Sequence, residues 1–454
     1  MDIDSKAIAD FLHLRRDSIE SISHLVAGGE SIIEVTLRAE RRPCPECGSA
    51  RVASKGIRAK AMRHCLFLNS RTTITVKKHR FFCRDCGKTF TQDDGIGVPG
   101  ARTTREIELE AVAELMSYNE TFASVGKRLG VSDTTVISIF DRLVNPKRKP
   151  LPKILSIDEC YGDGQFDEPY ALILMDWSSK KIADVLEGRD KRHFSSYLFN
   201  QTSLEERAGV EYVVTDMWEP YREIARRYFP NAKHVVDSFH VMENLCRALS
   251  RIRCRAQARY GKGTYEYHYL KESAKLIFRD DLRMDAKKRK DPYTGRYLNA
   301  WDIVREAEKA DPELALARGY YLRYKFFNSR KAKSYEAALD GIDAFRSDEK
   351  AARVPELFEF MTTLGNWREE IAMSLVAYVG ERRISNGPME GQNSQFSKLM
   401  VVSNGVRNFS RFRARLMLCY NKDCAFSPLP SGAKPRKKAG KKRGRYHKKK
   451  GEAE

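Results

Sequence analysis

The sequence has 454 residues, of which 42% are hydrophobic, so it is long enough for about two to four domains with sizeable cores. Its 82 Lys and Arg residues exceed its 61 Asp and Glu residues, and the net charge of +21 favours a polyanionic partner such as nucleic acid. No apolar run reaches the about 18 residues of a transmembrane helix, and the acidic start MDIDSKAIADFLHL is unlike a signal peptide. We therefore expect a cytoplasmic, nucleoid-associated protein without a membrane partner.

Residues 1–100 are predicted to form a zinc-binding domain. Two C-x-x-C pairs, CPECG and CRDCG, are each followed by a glycine that permits a tight turn around an ion. In the cytoplasm, cysteines are expected to be reduced thiols or metal ligands. Four thiolates give the closed tetrahedral site that structural Zn²⁺ prefers. The pattern therefore predicts zinc ligands at Cys44, Cys47, Cys83 and Cys86.

The stretch between the cysteine pairs is predicted to be a β-hairpin that completes a zinc ribbon. It is rich in β-branched and aromatic residues, above all in TTITVKKHRFF at 72–82. His64 and Cys65 also lie there, and we interpret them as a surface imidazole and a buried thiol rather than as ligands. A redox-active C-x-x-C is the alternative for the cysteine pairs, but that motif usually occurs singly and beside a βαβ unit.

Residues 101–148 are predicted to form a helix-turn-helix, centred on TFASVGKRLGVSDTTVISIFDRL. Apolar residues have helical spacing on both sides of Gly130, and Ser132 or Asp133 can cap the second helix. A recognition helix presents the side chains of its N-terminal turns to base edges. We therefore expect DNA contacts from Thr134, Thr135 and Ser138. Plain packing is the alternative, because short helical hairpins of this kind also occur without DNA.

Residues 149–240 alternate short apolar strands with helical stretches, which predicts a mixed α/β sheet. Four strand candidates end in an acid: Asp158, Asp176, Asp216 and Asp237. Carboxylates held close together repel one another and need a proton or a divalent cation such as Mg²⁺ or Mn²⁺. In a ribonuclease H-like sheet, the first acid lies on the first strand and the second follows the fourth strand. That order selects Asp158 and Asp216, with Asp237 as a competitor, although a single strand-end aspartate is often a turn or cap residue.

The rest of the chain is predicted to contain three further segments. Residues 241–380 have helical spacing of apolar residues and form a mainly helical region. Residues 381–425 contain ISNGPMEGQN, in which Glu390 precedes a basic run. Residues 426–454 include KPRKKAGKKRGRYHKKK, which predicts a disordered basic tail that binds nucleic acid without sequence preference. A solvated tail without a binding role is the alternative.

Several long motifs resemble the DDE transposases of bacterial insertion sequences, in particular the ISL-three group, which begins with zinc-binding and helix-turn-helix domains. The motifs span about residues 40 to 420 in the family's order: SIDECYG, VLEGRDKRHF, VVTDMWEPYREIARRYFPNAKHVVDSFHVMENL and ISNGPMEGQNSQFSKLMVVSNGVRNFSRFRARLML. The resemblance implies a ribonuclease H-like catalytic domain in two parts, 149–240 and 381–425, separated by a helical insertion.

The resemblance also implies roles for individual residues. Asp158, Asp216 and Glu390 are the expected catalytic triad and the ligands of Mg²⁺ or Mn²⁺, with Glu390 on a helix that returns to the sheet. Side chains expected to support the site or contact DNA, without binding metal, are Asp237, His240, Asn386 and Asn393. Independently of the resemblance, the basic run after Glu390 suits binding of DNA phosphates by Arg407, Arg411, Arg413 and Arg415, and an exposed helix without that role is the alternative.

The activity implied is metal-dependent cleavage of double-stranded DNA at terminal inverted repeats, followed by attack of the freed 3′-OH on target DNA. The zinc and helix-turn-helix domains would recognise the repeats, and joint cutting of two ends implies a homodimer or a larger assembly. Two alternatives remain. One is a transcription regulator whose α/β domain has lost its chemistry, and the other is a ribonuclease H-like nuclease that cuts without joining.

Overall fold

The computed structural model describes residues 8–10, 12, 14–67, 70–97, 100–162, 167–279, 284, 286–329, 332–403 and 408–422. The chain divides into two compact units. Among the described residues, the first comprises those up to position 115 and 120–146, and the second comprises 116–119 and those from 147 to 422. The predicted basic tail at 426–454 lies outside the described residues.

The first unit contains a five-stranded sheet with the order β1-β2-β4-β3 and β5 paired to β4. Its strands are β1 (Ile19–Ala27), β2 (Glu30–Leu37), β3 (Val52–Phe67), β4 (Ser70–Cys83) and β5 (Thr89–Thr91), after a 3-10 turn at Arg16–Ser18. β2 and β4 are parallel, whereas β3 and β4 form the predicted antiparallel hairpin. Alternate residues of β2 and β4 form the buried core, because side chains alternate between the faces of a strand: Ile33, Val35, Ile74 and Val76.

The predicted exposures of His64 and Cys65 in β3 are wrong. His64 is only 2% exposed, on the same face as Met62, and its Nδ1 lies 2.8 Å from Thr104 Oγ1. Burial also lowers the pKa of His64. Cys65 points to the other face and is half-buried. The prediction failed because a one-residue error in strand alternation exchanges the two faces.

Three helices complete the first unit: α1 (Arg105–Glu114), α2 (Phe122–Leu129) and α3 (Asp133–Leu143). Gly130 ends α2 with a φ of 68°, a left-handed conformation that favours glycine. Ser132 rather than Asp133 caps α3, since Ser132 Oγ accepts from the Thr135 N–H at 3.1 Å. Gly126 permits close packing of the turn, because a Cβ there would lie 2.8 Å from the Val131 carbonyl oxygen. The predicted helix-turn-helix is therefore present.

The second unit contains a five-stranded mixed sheet with the order β10-β9-β6-β7-β8. Its strands are β6 (Ile154–Tyr161), β7 (Tyr170–Asp176), β8 (Ile182–Glu187), β9 (Tyr212–Thr215) and β10 (Lys233–Val236). β6, β9 and β10 are mutually parallel, and β7 is antiparallel to β6 and β8. This is the predicted ribonuclease H-like arrangement. The prediction that Asp158 ends its strand is wrong, because β6 pairs with β7 as far as Tyr161.

Both faces of this sheet are covered. Apolar residues such as Leu155 and Leu172 pack against α4 (Lys191–Gln201) and α6 (Glu219–Tyr228), between which lies the short α5 (Leu204–Ala208). On the opposite face, Ile154, Val214 and Val235 pack against Ala377 and Ile384. Asp158 follows Ile154 by four residues, and Asp216 follows Val214 by two. Since successive side chains of a strand alternate between its faces, both acids lie on this second face.

A mainly helical region lies between β10 and the end of the core, as predicted. It contains α7 (Ser238–Gln257), α8 (Tyr265–Ser273), α9 (Ala300–Lys309), α10 (Ala315–Ser329), α11 (Tyr335–Arg346), α12 (Glu349–Ala352), α13 (Pro355–Asn366) and α14 (Arg368–Val376). Two short hairpins were not predicted: β11 (Arg289–Lys290) with β12 (Tyr297–Leu298), and β13 (Tyr378–Val379) with β14 (Arg382–Arg383). The helices α15 (Gly387–Val402) and α16 (Phe409–Asn421) follow. Over the described ranges, none of the helices combines the length and apolar character of a membrane span.

His234 in β10 is expected to make folding sensitive to acid. Its ring packs against Trp367, its Nε2 lies 2.8 Å from Thr215 Oγ1, and its Nδ1 lies 4.0 Å from Glu370. Burial, with Arg222 and Arg226 nearby, lowers its pKa to about 3. Below a pH of about 6.5 the unfolded chain takes up a proton at this position that the folded chain does not. This residue should therefore lower the free energy of unfolding by up to about 1.4 kcal/mol per pH unit as the pH falls from 6.5 towards 3.

Urea unfolding of the wild type and of His234→Gln at several pH values between 7 and 5 checks this effect. The difference in unfolding free energy between the two proteins should change with pH, because the carboxylates are common to both. If the unfolding free energies of the two proteins changed with pH in parallel, His234 would not be held neutral by the fold.

Candidate metal-dependent active site

The register of the parallel strands brings three acids together at one edge of the sheet. β6 and β9 pair Ser156 with Val214, so two residues further on Asp158 lies beside Asp216. β9 and β10 pair Thr215 with Val236, and the next residues are Asp216 and Asp237. Neighbouring parallel strands thus place a carboxylate at each of three adjacent positions.

Asp158 is fixed by two hydrogen bonds. The Glu159 backbone N–H donates to Oδ1 at 2.8 Å, and Asn393 Nδ2 donates to Oδ2 at 2.7 Å. Burial and the neighbouring Asp216 raise the pKa of Asp158 to about 7. The charged carboxylate is therefore costly in this position without a proton or a cation.

Glu390 lies in the first turn of α15, where the positive end of the helix dipole favours an acid. Its Oε1 is 3.9 Å from His240 Nε2. Burial and the neighbouring Asp237 raise the pKa of Glu390. Three residues further along α15, Asn393 reaches Asp158, so this helix returns to β6 as the sequence predicted.

His240 lies between the acids. Its Nε2 is 3.0 Å from Asp216 Oδ1, and its Nδ1 is 3.3 Å from Glu243 Oε2. Pairing with Asp216 raises the pKa of His240 to about 9. Ligand atoms of Asp237, His240 and Glu390 also lie within 4.8 Å of one another, a spacing that can hold a metal ion. The sequence interpretation did not anticipate this grouping, although the D-x-x-H spacing at the start of α7 is a signal for it.

Several buried polar atoms around the acids lack partners within the described part of the chain. They are both amide atoms of Asn386, Asn393 Oδ1 and Asp237 Oδ2. Unsatisfied buried polar groups are rare in folded proteins and require an explanation. A site that receives a cation and a phosphodiester would supply the missing partners, and hard carboxylate and amide oxygens are the donors that Mg²⁺ prefers.

Two of the arginines predicted to bind phosphates, both on α16, make contacts within the protein. Arg415 is 5% exposed and donates to the Ser117 carbonyl at 2.8 Å. Arg413 Nε donates to the buried carboxylate of Asp184 at 2.6 Å. The Arg415 guanidinium is therefore buried, and the Arg413 guanidinium is paired with Asp184, although Arg413 is partly exposed, as Arg411 is. Arg407 lies outside the described residues.

The four predicted zinc ligands are assembled in the first unit. Their Sγ atoms lie within 4.8 Å of one another, and both the Cys44–Cys86 and Cys47–Cys83 pairs are 3.6 Å apart. A tetrahedral ion with Zn–S bonds of about 2.3 Å places its sulfurs about 3.8 Å apart, so the cluster fits zinc. Gly48 and Gly87 follow the two pairs with φ of 72° and 71°, as the tight turns require.

The start of α3 presents the predicted DNA-contacting side chains. Thr134 and Ser138 are exposed, and Thr135 is half-buried. An open groove beside them is also lined by Arg102 and Arg142. Sequence reasoning missed Arg102, which comes from the segment before α1.

Three family models match the chain in order. The zinc-finger of transposase IS204/IS1001/IS1096/IS1165 matches residues 40–86, and the helix-turn-helix domain of transposase family ISL3 matches residues 97–144. The ISL3 DDE transposase model matches residues 155–416, which is more than half of the chain and extends from β6 to α16. A comparison with curated proteins found no match. The family models agree with the sheet order, the Cys₄ cluster and the recognition helix, and the chain therefore belongs to the ISL3 family of transposases.

Proposed function

We propose that this transposase uses Asp158, Asp216 and Glu390 to hold Mg²⁺ or Mn²⁺ while it cleaves the ends of its element and joins them to target DNA. The observation that carries the proposal is the 2.7 Å hydrogen bond from Asn393 to Asp158, which connects residues 235 positions apart. It brings the first turn of α15, with Glu390, to the sheet edge where Asp158 and Asp216 are in register. Two strands and one helix thus supply the three acids.

The chain's own residues would position the reacting groups. Divalent cations, when bound, would activate the attacking oxygen and stabilise the leaving oxygen. Asn393 and the Glu159 N–H hold both oxygens of Asp158 in place, and His240, with Nε2 3.0 Å from Asp216 Oδ1 and 3.9 Å from Glu390 Oε1, would hold a proton between these two acids. Water would first attack the phosphodiester to free a 3′-OH, and that hydroxyl would then attack target DNA.

The first unit would recognise DNA. We propose that Thr134, Thr135 and Ser138 contact base edges, and that zinc bound by Cys44, Cys47, Cys83 and Cys86 holds the ribbon in shape. Arg411 in the second unit is proposed to contact phosphates. Because joint cutting of two element ends would need two active sites, we propose a homodimer or a larger assembly on DNA.

The function is tested with purified protein, Mg²⁺ and labelled duplexes that carry the inverted repeats flanking the gene. We expect both a cleaved end with a 3′-OH and a product joined to target DNA. Cleavage without joining would support the structure-specific nuclease instead. Specific binding without cleavage would support the transcription regulator.

Asn393→Ala is expected to lower the cleavage rate by about 10- to 100-fold and to raise the Mg²⁺ concentration needed for half-maximal activity. The reason is that Asp158 loses the donor that orients Oδ2. Ser397→Ala, one turn further on the same helix and exposed, is the matched control and should behave like the wild type. Wild-type Mg²⁺ dependence of Asn393→Ala would show that Asn393 does not position Asp158.

A further inference from the structure

The hairpin of β11 and β12 in the helical region has an unusual surface. Residues 286–298 read AKKRKDPYTGRYL, with five basic residues, one acid and two tyrosines. All residues of the stretches 286–290 and 292–297 are exposed. Leu298 is buried and anchors the hairpin to the helical core.

The acid of this hairpin faces inward. Asp291 accepts hydrogen bonds from Tyr269 Oη at 2.7 Å and from the Thr294 N–H at 3.0 Å, and His268 Nε2 lies 3.0 Å away. Although partial burial opposes it, these hydrogen bonds hold the pKa of Asp291 below its usual range. The carboxylate therefore fixes the turn and is not directed at the exposed lysines.

The backbone of the turn is also fixed. The Asp291 N–H donates to the Arg296 carbonyl at 2.7 Å, and the Gly295 N–H donates to the Asp291 carbonyl at 2.8 Å. Gly295 has a φ of 70°, so the turn needs glycine there. The hairpin is thus a shaped element whose side chains have defined positions.

Two aromatic rings lie on this element in contact with water. Tyr297 is 66% exposed and pairs across the strands with Lys290. Tyr293 is 46% exposed and stacks on His268, with ring centroids 5.0 Å apart and an interplanar angle of 14°. A basic loop that served only solubility would not require the exposed rings of Tyr293 and Tyr297. Exposed aromatic rings among lysines on a rigid support are typical of surfaces that stack nucleic-acid bases and contact phosphates.

We propose that the β11–β12 hairpin is a second DNA-binding site, which holds unpaired DNA by stacking a base on Tyr297 and contacting phosphates through Lys288 and Lys290. This site is separate from the helix-turn-helix and does not read sequence. Cleavage at an element end frees a strand that can provide such unpaired bases.

The test uses the full-length protein without added divalent metal and a fluorescent 20-nucleotide thymidine strand. Loss of one stacked base and one phosphate contact in the double variant Lys290→Ala, Tyr297→Ala should weaken binding by about 10- to 100-fold. The matched control, Lys350→Ala with Tyr324→Ala, removes an exposed lysine and a 58% exposed tyrosine from the same helical region and should bind normally. Tyr297→Phe should also bind normally, because the ring is retained.

Photocrosslinking with a strand that contains 5-iododeoxyuridine separates this site from other basic segments. Peptide mapping should find the crosslink on residues 289–298. Equal affinity of both double variants with crosslinks mapped elsewhere would overturn the proposal, and equally tight duplex binding through the hairpin would overturn the preference for unpaired DNA. Asp158→Asn should bind the strand like the wild type, so a failure here is distinguishable from a failure of the catalytic assignment.

Discussion

Asp158→Asn is expected to lower both DNA cleavage and strand transfer by about 1,000-fold or more, because a lost cation ligand removes several kcal/mol of transition-state stabilisation. Asparagine has the same shape and keeps one acceptor oxygen, so the sheet should remain folded. Binding of element ends should be unchanged, because the residues proposed to read DNA lie in the first unit. The measurement is a cleavage and joining assay beside an equilibrium binding assay on the same labelled duplex.

Asp176→Asn is the matched control. Asp176 is the last residue of β7 in the same sheet, where it pairs opposite Leu155, and its carboxylate accepts from the Ser178 N–H at 2.9 Å and from Ser179 Oγ at 2.6 Å. It is therefore a turn residue, and its variant should retain cleavage within a few-fold of the wild type. If Asp158→Asn gave wild-type product, Asp158 would not belong to the catalytic site.

Cys44→Ala is expected to remove zinc from the protein and to unfold the ribbon. Structural zinc contributes about 10–16 kcal/mol of apparent binding free energy, which is comparable to the entire about 5–15 kcal/mol stability of a typical domain. The three remaining thiolates cannot complete the tetrahedral coordination of zinc. Zinc content should fall from one ion per chain to nearly none, and specific recognition of element ends should be lost while nonspecific DNA binding persists.

Cys65→Ala provides the control within the same ribbon. Cys65 lies in β3 between the two pairs but outside the Cys₄ cluster. Its variant should keep one zinc ion, and limited proteolysis should leave its β3–β4 hairpin intact. Unchanged zinc content in Cys44→Ala, measured by elemental analysis, would contradict the ligand assignment.

Local patterns were sufficient to predict much of the fold. The helix-turn-helix could be predicted because Gly130 and the capping Ser132 mark its boundaries within a few residues of sequence. The two C-x-x-C pairs indicated the zinc cluster because their spacing alone brings two sulfurs to one ion. The order of apolar strands indicated the mixed sheet, and that order selected Asp158 and Asp216.

What the sequence missed depends on contacts between distant segments. β6 continues past Asp158 because it pairs with β7, and the ion pair of Arg413 depends on Asp184 in a different element. The face on which His64 lies depends on strand register, which composition does not reveal. The β11–β12 hairpin has strands of two residues each, too short to show a periodic pattern.

Because Asp237 and His240 group with Glu390, two sets of possible metal ligands share Glu390. One set is in register on the sheet through Asp158 and Asp216, and the other lies at the start of α7. We propose that the cation binds the first set and that Asp237 and His240 have a supporting role. Locating the bound ion experimentally would distinguish these two sets of ligands.

A crystal structure of the protein with a cleaved element end and Mn²⁺, located by anomalous scattering, gives that location. We expect manganese bound to carboxylate oxygens of Asp158, Asp216 and Glu390, beside the 3′-OH. Manganese bound by Asp237, His240 and Glu390, with Asp158 and Asp216 making no contact with the ion, would contradict the assignment.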